Sequence, residues 1–232
     1  MSWKLTSGSG CIGHYSELGF RLSRAPSDTS VTETLNPDSV TETSSESERP
    51  LRADARRNRE RILEGARLVF AESGNDAQMD DVARRAGVGV GTVYRHFPTK
   101  EALMVELVRQ KFRLFAVTAR EALECEGEPF DVLAELLRVN AEVAARDAAI
   151  QHVLAGAGEH IWAQAQREQE ELNALSGALI ARAQRAGTMR PDVGPADISM
   201  LMCGVCATMA HKGPGFDWRR HLEHGIEMLR AR

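Results

Sequence analysis

A hydroxyl, a phenol, a guanidinium and an imidazole fall within five consecutive residues, at Thr92, Tyr94, Arg95 and His96. Hydroxyls, phenols and cationic or imidazole nitrogens are the groups that contact phosphate oxygens and base edges. Gly91 removes a side chain among them, where a second backbone can approach closely. Val93 and Phe97 are four apart and can face inward together, leaving the polar groups outside. Lys100 follows at a position that reads as a helix N-terminus, where backbone N–H groups and the dipole also favour an anion. The chemistry implied is contact with a nucleic acid rather than catalysis. The chain carries no P-loop, no G-x-S-x-G, no H-E-x-x-H and no dinucleotide fingerprint.

These side chains need two short helices and a tight turn to hold them. Met79, Val82, Ala83 and Ala86 recur at helical spacing, so a first helix covers residues 80–86. Gly87 can take the left-handed conformation that ends it, and Val88 anchors the turn. Gly89 sits at the next N-cap, a second helix runs from Val90 to Phe97, and Pro98 stops it. Two helices across a glycine-containing turn form the helix-turn-helix pattern.

The stretch from Arg57 to Leu107, and above all AGVGVGTVYRHFPTKEAL from Ala86 to Leu103, resembles the DNA-binding domain of the TetR family of bacterial regulators. The resemblance covers about fifty residues and is far more specific than a bare helix-turn-helix. It implies an all-α homodimer, with an N-terminal three-helix DNA reader and a C-terminal helical domain that binds a small molecule. By analogy with matching positions, Thr92, Tyr94, His96 and Lys100 would position the protein on phosphates. Val90, Gly91 and Arg95 would read sequence, with Arg57 auxiliary. For His96 helix-to-helix packing is an equal reading, and Tyr94 can serve both roles. The sequence departs from the family pattern at Gly89, where the recognition helix often begins with Ser. It departs again near Gln78, where Ser or Thr usually caps the preceding helix and Gln caps weakly.

The formal net charge of −4 speaks mildly against nucleic acid until it is divided along the chain. Residues 1–50 hold 4 basic and 7 acidic side chains, residues 51–100 hold 10 and 7, and residues 101–232 hold 15 and 19. The one basic block therefore coincides with the helix-turn-helix, as expected of a DNA-reading module on an acidic body. Hydrophobic residues make up 43%, enough for a substantial core, and no apolar run reaches membrane-spanning length. Lys4 is not followed by an apolar stretch, so no signal peptide is read and cytoplasm is the expected compartment. No cofactor and no metal site is expected. Cys203 and Cys206 form a C-x-x-C inside SMLMCGVCATMA, without the other ligands of a zinc site. Packing in a buried helix is the favoured reading, and a thiol-based redox sensor is the alternative.

Three segments follow. Residues 1–50 are rich in Ser, Thr, Glu and Asp, repeat Ser-Val-Thr-Glu-Thr at 30–34 and 39–43, and read as a disordered extension. This extension is either a tail with its own role, an appendage without one, or an over-long start. Residues 51–100 are the DNA-binding domain, opened by a helix from Ala53 to about Ser73. Residues 101–232 are the ligand-binding and dimerisation domain. Thr99 caps a long helix from Lys100 to about Leu123 that joins the two. Helices are expected over 130–146, 148–155 and 160–186, then over 195–211 and 217–230.

The helix from Pro195 is apolar nearly all round, so it must be covered on more than one side. The resemblance places the dimer interface on these last two helices. Phe112, Phe115, Asn140, His152 and Trp162 are the candidates for lining a ligand cavity; Asn140, on an apolar stripe, either pairs internally or faces that cavity. The reading as a whole is a sequence-specific DNA-binding regulator, a repressor freed from a palindromic operator by a small molecule. An activator of the same family is the alternative.

Overall fold

The protein is described by a computed structural model covering residues 48–156, 158–211 and 213–232. The expectation for residues 1–47 lies outside it. Ten α-helices follow in order among the described residues: α1 Glu48–Ser73, α2 Met79–Ala86, α3 Val90–His96, α4 Lys100–Glu124, α5 Pro129–Ala145, α6 Ala148–Gly156, α7 Glu159–Gln164, α8 Gln166–Arg185, α9 Pro195–Ala210 and α10 Trp218–Leu229. The fold is all-α. The exception to helix among the described residues is an isolated antiparallel bridge between Met189 and Arg230, which ties the connector before α9 to the end of α10.

The helix ends follow from residue chemistry. Gly87 ends α2 with φ 63° and ψ 40°, a left-handed cap that L residues other than glycine rarely adopt. The Thr99 hydroxyl accepts from the Ala102 N–H and opens α4. Asp217 caps α10 by accepting from the N–H groups of Arg219 and Arg220. Glu128 caps α5 by accepting from Phe130 and Asp131, with Pro129 in the first turn. Close crossing of α1 over α2 needs Gly65, because a Cβ there would lie 2.9 Å from the Ala86 nitrogen.

Two apolar cores result. The first gathers Phe70 on α1, Val82 on α2, Val93 on α3 and Val105 on α4 with Ile150 and Val153 on α6 and Ile161 on α7. The second gathers Phe130 and Leu133 on α5 with Leu179 on α8, Val205 on α9 and Leu222 on α10. Thus α6 and α7 pack onto the reading head, and α4 runs through both cores.

Most boundaries fall within a residue of expectation, and three differences bear on the fold. Helix α1 begins at Glu48, five residues before Ala53. Helix α3 ends at His96, and Phe97 is its extended C-cap with φ −137°. The single helix expected over residues 160–186 is two helices, broken at Ala165 (φ −97°, ψ 7°). The reason for the break is tertiary. Arg109 on α4 donates to the Gln164 carbonyl through Nε at 3.1 Å and Nη2 at 2.6 Å. Ala165 is itself fully buried in the first core.

Candidate nucleic-acid interface

Helix α3 stands on two inward side chains, Val93 at 0% exposure and Phe97 at 3%. Burying each contributes about 1.5–3 kcal/mol to holding so short a helix in place. The opposite face carries Val90, Gly91, Tyr94 and Arg95, at i, i+1, i+4 and i+5, all exposed. Val90 and Tyr94 keep 42% and 47% of their surface in solvent. An apolar side chain and an aromatic left this open on a helix anchored from behind form a surface shaped for a partner. Thr92 and His96 flank that face, half-buried. Among the described residues Arg95 has no ion-pair or hydrogen-bond partner, so its donors point to solvent.

The rim holds the remaining candidates. Gly89 is the N-cap of α3 and Gln78 the N-cap of α2, both exposed. Gln78 makes no capping bond; its Nε2 donates to the Asp76 carbonyl at 2.8 Å instead. Arg57 lies on α1, paired with Asp54 and 62% exposed at its side chain. Lys100 occupies the first turn of α4 with its ammonium turned onto the Asn75 carbonyl, 5.7 Å from the Phe70 ring centre.

Two arginines of the basic start of α1, which sequence marks only as able to reach phosphate, have structural partners. Arg61 donates to the Gly87 carbonyl at 2.9 Å and so ties α1 to the turn before α3. Arg59 places its guanidinium 5.1 Å from the Phe97 ring centre and pairs with Glu106 at 3.1 Å. Glu106, 7% exposed, also pairs with Arg113 at 3.3 Å, and Arg113 reaches Glu168 on α8 at 2.9 Å. The arginine-rich start of α1 was visible in sequence, but partners 26 to 47 residues away carry no local signal.

The ligand-lining candidates are partly assembled. Phe112 and Trp162 meet with ring centres 6.2 Å apart, and Phe115 follows one turn along α4 beneath Lys111. Asn140 is buried and pairs internally, its amide 3.0 Å from the Thr118 hydroxyl, which also donates to the Phe115 carbonyl at 2.9 Å. One hydroxyl carries one proton, so the amide orientation that turns Nδ2 toward Thr118 satisfies the whole chain. His152 stands apart: it is exposed and lies over Gly74, at the edge of the reading head.

The C-x-x-C lies in α9. Cys203 is exposed rather than buried, contrary to expectation, though its thiol is partly screened by its neighbours, while Cys206 is half-buried. Burial pushes the Cys206 thiol up to about 11 and raises that of Cys203 as well, which keeps both in the unreactive protonated form near neutrality. No cluster of three or more His, Cys, Asp or Glu able to hold a metal occurs among the described residues. No described helix is long and apolar enough to cross a membrane.

A reading helix displayed on a three-helix head, joined by a long helix to a helical body, is the architecture of the bacterial regulatory proteins of the tetR family. The model for that family matches residues 62–107, and that of the SbtR-like transcriptional regulator C-terminal domain matches residues 128–222. A TetR transcription regulatory protein from Mycobacterium vanbaalenii is 40% identical, covering 78% of this chain and 100% of its own, with a TM-score of 0.55. The chain belongs to the TetR family and is a DNA-binding transcriptional regulator. The TetR regulator SCO0520 from Streptomyces coelicolor is similar at 28% identity over 75% of this chain and 98% of its own, with a TM-score of 0.53. The transcriptional repressor KstR of Mycobacterium tuberculosis is 27% identical over 90% of this chain and 97% of its own.

Proposed function

We propose that the chain is a repressor that binds a palindromic operator as a homodimer and leaves it when a small molecule binds the body. The observation that carries this reading is the exposed face of α3, with Val90, Gly91, Tyr94 and Arg95 held up by buried Val93 and Phe97. Arg95 reads a guanine edge with its unpaired fork. Thr92, Tyr94 and His96 set the helix on phosphates, and Arg57, Gln78, Gly89 and Lys100 complete the rim. The KstR relatives are named as repressors, which favours repression over activation here.

Residues 51–100 serve as the reading unit and residues 101–232 as the ligand-binding and dimerisation unit. Phe112, Phe115 and Trp162 offer apolar surface to the effector, with Asn140 and His152 as further candidates. The effector acts only insofar as it binds the DNA-competent and DNA-free states with different affinity. The residues 195–211 and 217–230 pair two copies, so two reading helices face the same side of DNA. Cytoplasm is the compartment in which such a protein meets its operator.

The test is binding to DNA from immediately upstream of its own gene, against a random duplex, as salt is varied. Arg95→Ala is expected to weaken the operator complex roughly ten- to hundredfold, the equivalent of one bidentate base contact, and the random complex far less. Equal loss on both duplexes would place Arg95 on phosphate rather than on a base.

A further inference from the structure

Between Arg24 and Arg49 the chain holds six acidic residues, Asp28, Glu33, Asp38, Glu42, Glu46 and Glu48, and no Lys or Arg. From Arg49 to Arg61 it holds six arginines. The acidic block therefore runs straight into the helix that carries the basic edge of the reading head. Two of its carboxylates, Glu33 and Glu42, occupy the same place in the repeated Ser-Val-Thr-Glu-Thr. Nothing in the regulator reading uses this block.

The structure supplies the complementary face. Arg56 and Arg57 on α1 keep 63% and 62% of their side chains exposed, each paired among the described residues with a carboxylate about one turn away. Arg61 fixes α1 to the Gly87 carbonyl, directly before α3, where Arg95 is exposed and unpaired among the described residues. Glu48 opens α1, 13 residues before Arg61. At about 1.5 Å per residue it lies about 20 Å along the helix from that contact. An extended chain covers that distance in about six residues. Everything from Glu42 back to Asp28 can therefore lie against the reading face.

We propose that residues 28–46 dock on the exposed arginines Arg56, Arg57 and Arg95, as an internal competitor of the DNA phosphates. This rests on the reading of that face as the DNA-binding surface. The block carries one carboxylate every four or five residues, on the order of 15 Å apart when extended. Duplex DNA presents one charge per about 1.7 Å of axis. The tail is thus the weaker polyanion, and DNA displaces it. Tethering holds it near the face at an effective concentration on the order of millimolar. A tail contact of millimolar strength then lowers DNA affinity about twofold, and one ten times tighter lowers it about tenfold.

A competitor of this kind leaves a specific signature. It lowers affinity for operator and random DNA by the same factor, because both complexes must expel it. Its hold is screened as salt rises, so the native chain shows a shallower salt dependence than a chain with a neutral tail, and the two converge at high salt.

The experiment compares the full chain with a full-length variant carrying Asp28→Asn, Glu33→Gln, Asp38→Asn, Glu42→Gln and Glu46→Gln. Fluorescence anisotropy on the upstream duplex and on a random duplex reads both affinities across a salt series. The expected result is tighter binding by the variant to both duplexes at low salt, by the same two- to tenfold factor, with a steeper salt slope and convergence at high salt. A synthetic peptide of residues 25–47, added to the variant, is expected to restore the weaker binding, and a peptide with the same five substitutions is not. Unchanged or weaker binding by the variant overturns the proposal, as does an effect confined to one duplex, which would mean that the tail reads DNA. Operator-specific, Arg95-dependent binding that is identical in both chains overturns the tail proposal and leaves the DNA face intact. If neither chain binds either duplex, the DNA face itself falls and the tail proposal with it.

Discussion

Glu106 shows how one side chain can hold the reading head to the body. It is a carboxylate 7% exposed, facing Arg59 at 3.1 Å and Arg113 at 3.3 Å. Arg59 in turn covers the Phe97 ring, which ends the recognition helix. Removing one partner of a fully buried ion pair costs about 3–5 kcal/mol, because the other charge is stranded. Here the arginine side chains are 40% and 51% exposed, so each can rehydrate. Glu106→Gln is therefore expected to cost only about 1–2 kcal/mol in urea unfolding, between the values for exposed and fully buried pairs. Arg95→Ala, by contrast, removes a group with no described partner and is expected to leave stability within about 0.5 kcal/mol. The two variants separate a residue that holds the head from one proposed to read with it. An Arg95→Ala chain that unfolds as readily as Glu106→Gln would show that Arg95 has a structural duty.

At the scale of elements, what sequence discloses divides by the range of the forces. The turn at Gly87, the cap at Thr99, and the inward pair Val93 and Phe97 are set by residues within a turn of each other, and all were legible. The break at Ala165 was not. No glycine or proline lies between Glu159 and Arg185 except Gly177, inside an unbroken helix, and the apolar spacing runs on through Ala165. What divides α7 from α8 is Arg109, 55 residues earlier, taking the Gln164 carbonyl. Among the ligand candidates, Phe112 and Trp162 were brought together, but the position of His152 depended on α6 turning toward the head, which periodicity does not encode.

Arg109→Ala leaves the Gln164 carbonyl without its donor and loosens the 3.8 Å approach to Glu168. Hydrogen exchange is expected to speed up over residues 159–169 while α5 keeps its protection. Unchanged exchange there would mean that the break is maintained by the burial of Ala165 alone.

At the scale of the whole molecule, carboxylates tie helices that are distant in sequence. Burial, the largest single influence, would raise the Glu168 carboxyl, but the hydrogen bond from Arg113, a backbone hydrogen bond and the Arg113 and Arg109 charges together outweigh it, so the group titrates below its ordinary range. The Arg138 hydrogen bond holds Glu223 on α10 low in the same way. A carboxylate depressed in the folded state contributes stability that is present above its unfolded pKa of about 4.3 and lost as pH falls through the lower folded value. Stability is therefore expected to be insensitive to these two groups at neutral pH and to fall steeply below about pH 4, with Glu168→Gln flattening that fall. An identical acid transition in the variant would show that the Arg113 contact contributes nothing.

The last two helices leave an exposed apolar surface. Helix α9 buries only Ile198 and Val205 of its sixteen residues. Its outward line is Ala196, Met200, Cys203 and Ala207, at i, i+4, i+7 and i+11, all exposed, with Met200 at 64%. Helix α10 buries Leu222, Ile226 and Leu229 against the body and leaves Met228 68% exposed. A continuous apolar line of small residues and methionines, two helices wide, is costly to leave in water, and in the proposed homodimer a two-fold axis would cover it with a second copy of itself. An isologous interface doubles any change made to it, since each substitution occurs twice. Met200→Glu sets a carboxylate on both sides of such an interface without touching either core. It is expected to halve the mass seen by sedimentation equilibrium and to leave the thermal unfolding of the single chain nearly unchanged. Operator affinity should fall toward that of a single reading head, with random-duplex binding less affected. A variant that keeps its mass and its operator affinity would move the interface elsewhere and require another partner for this face.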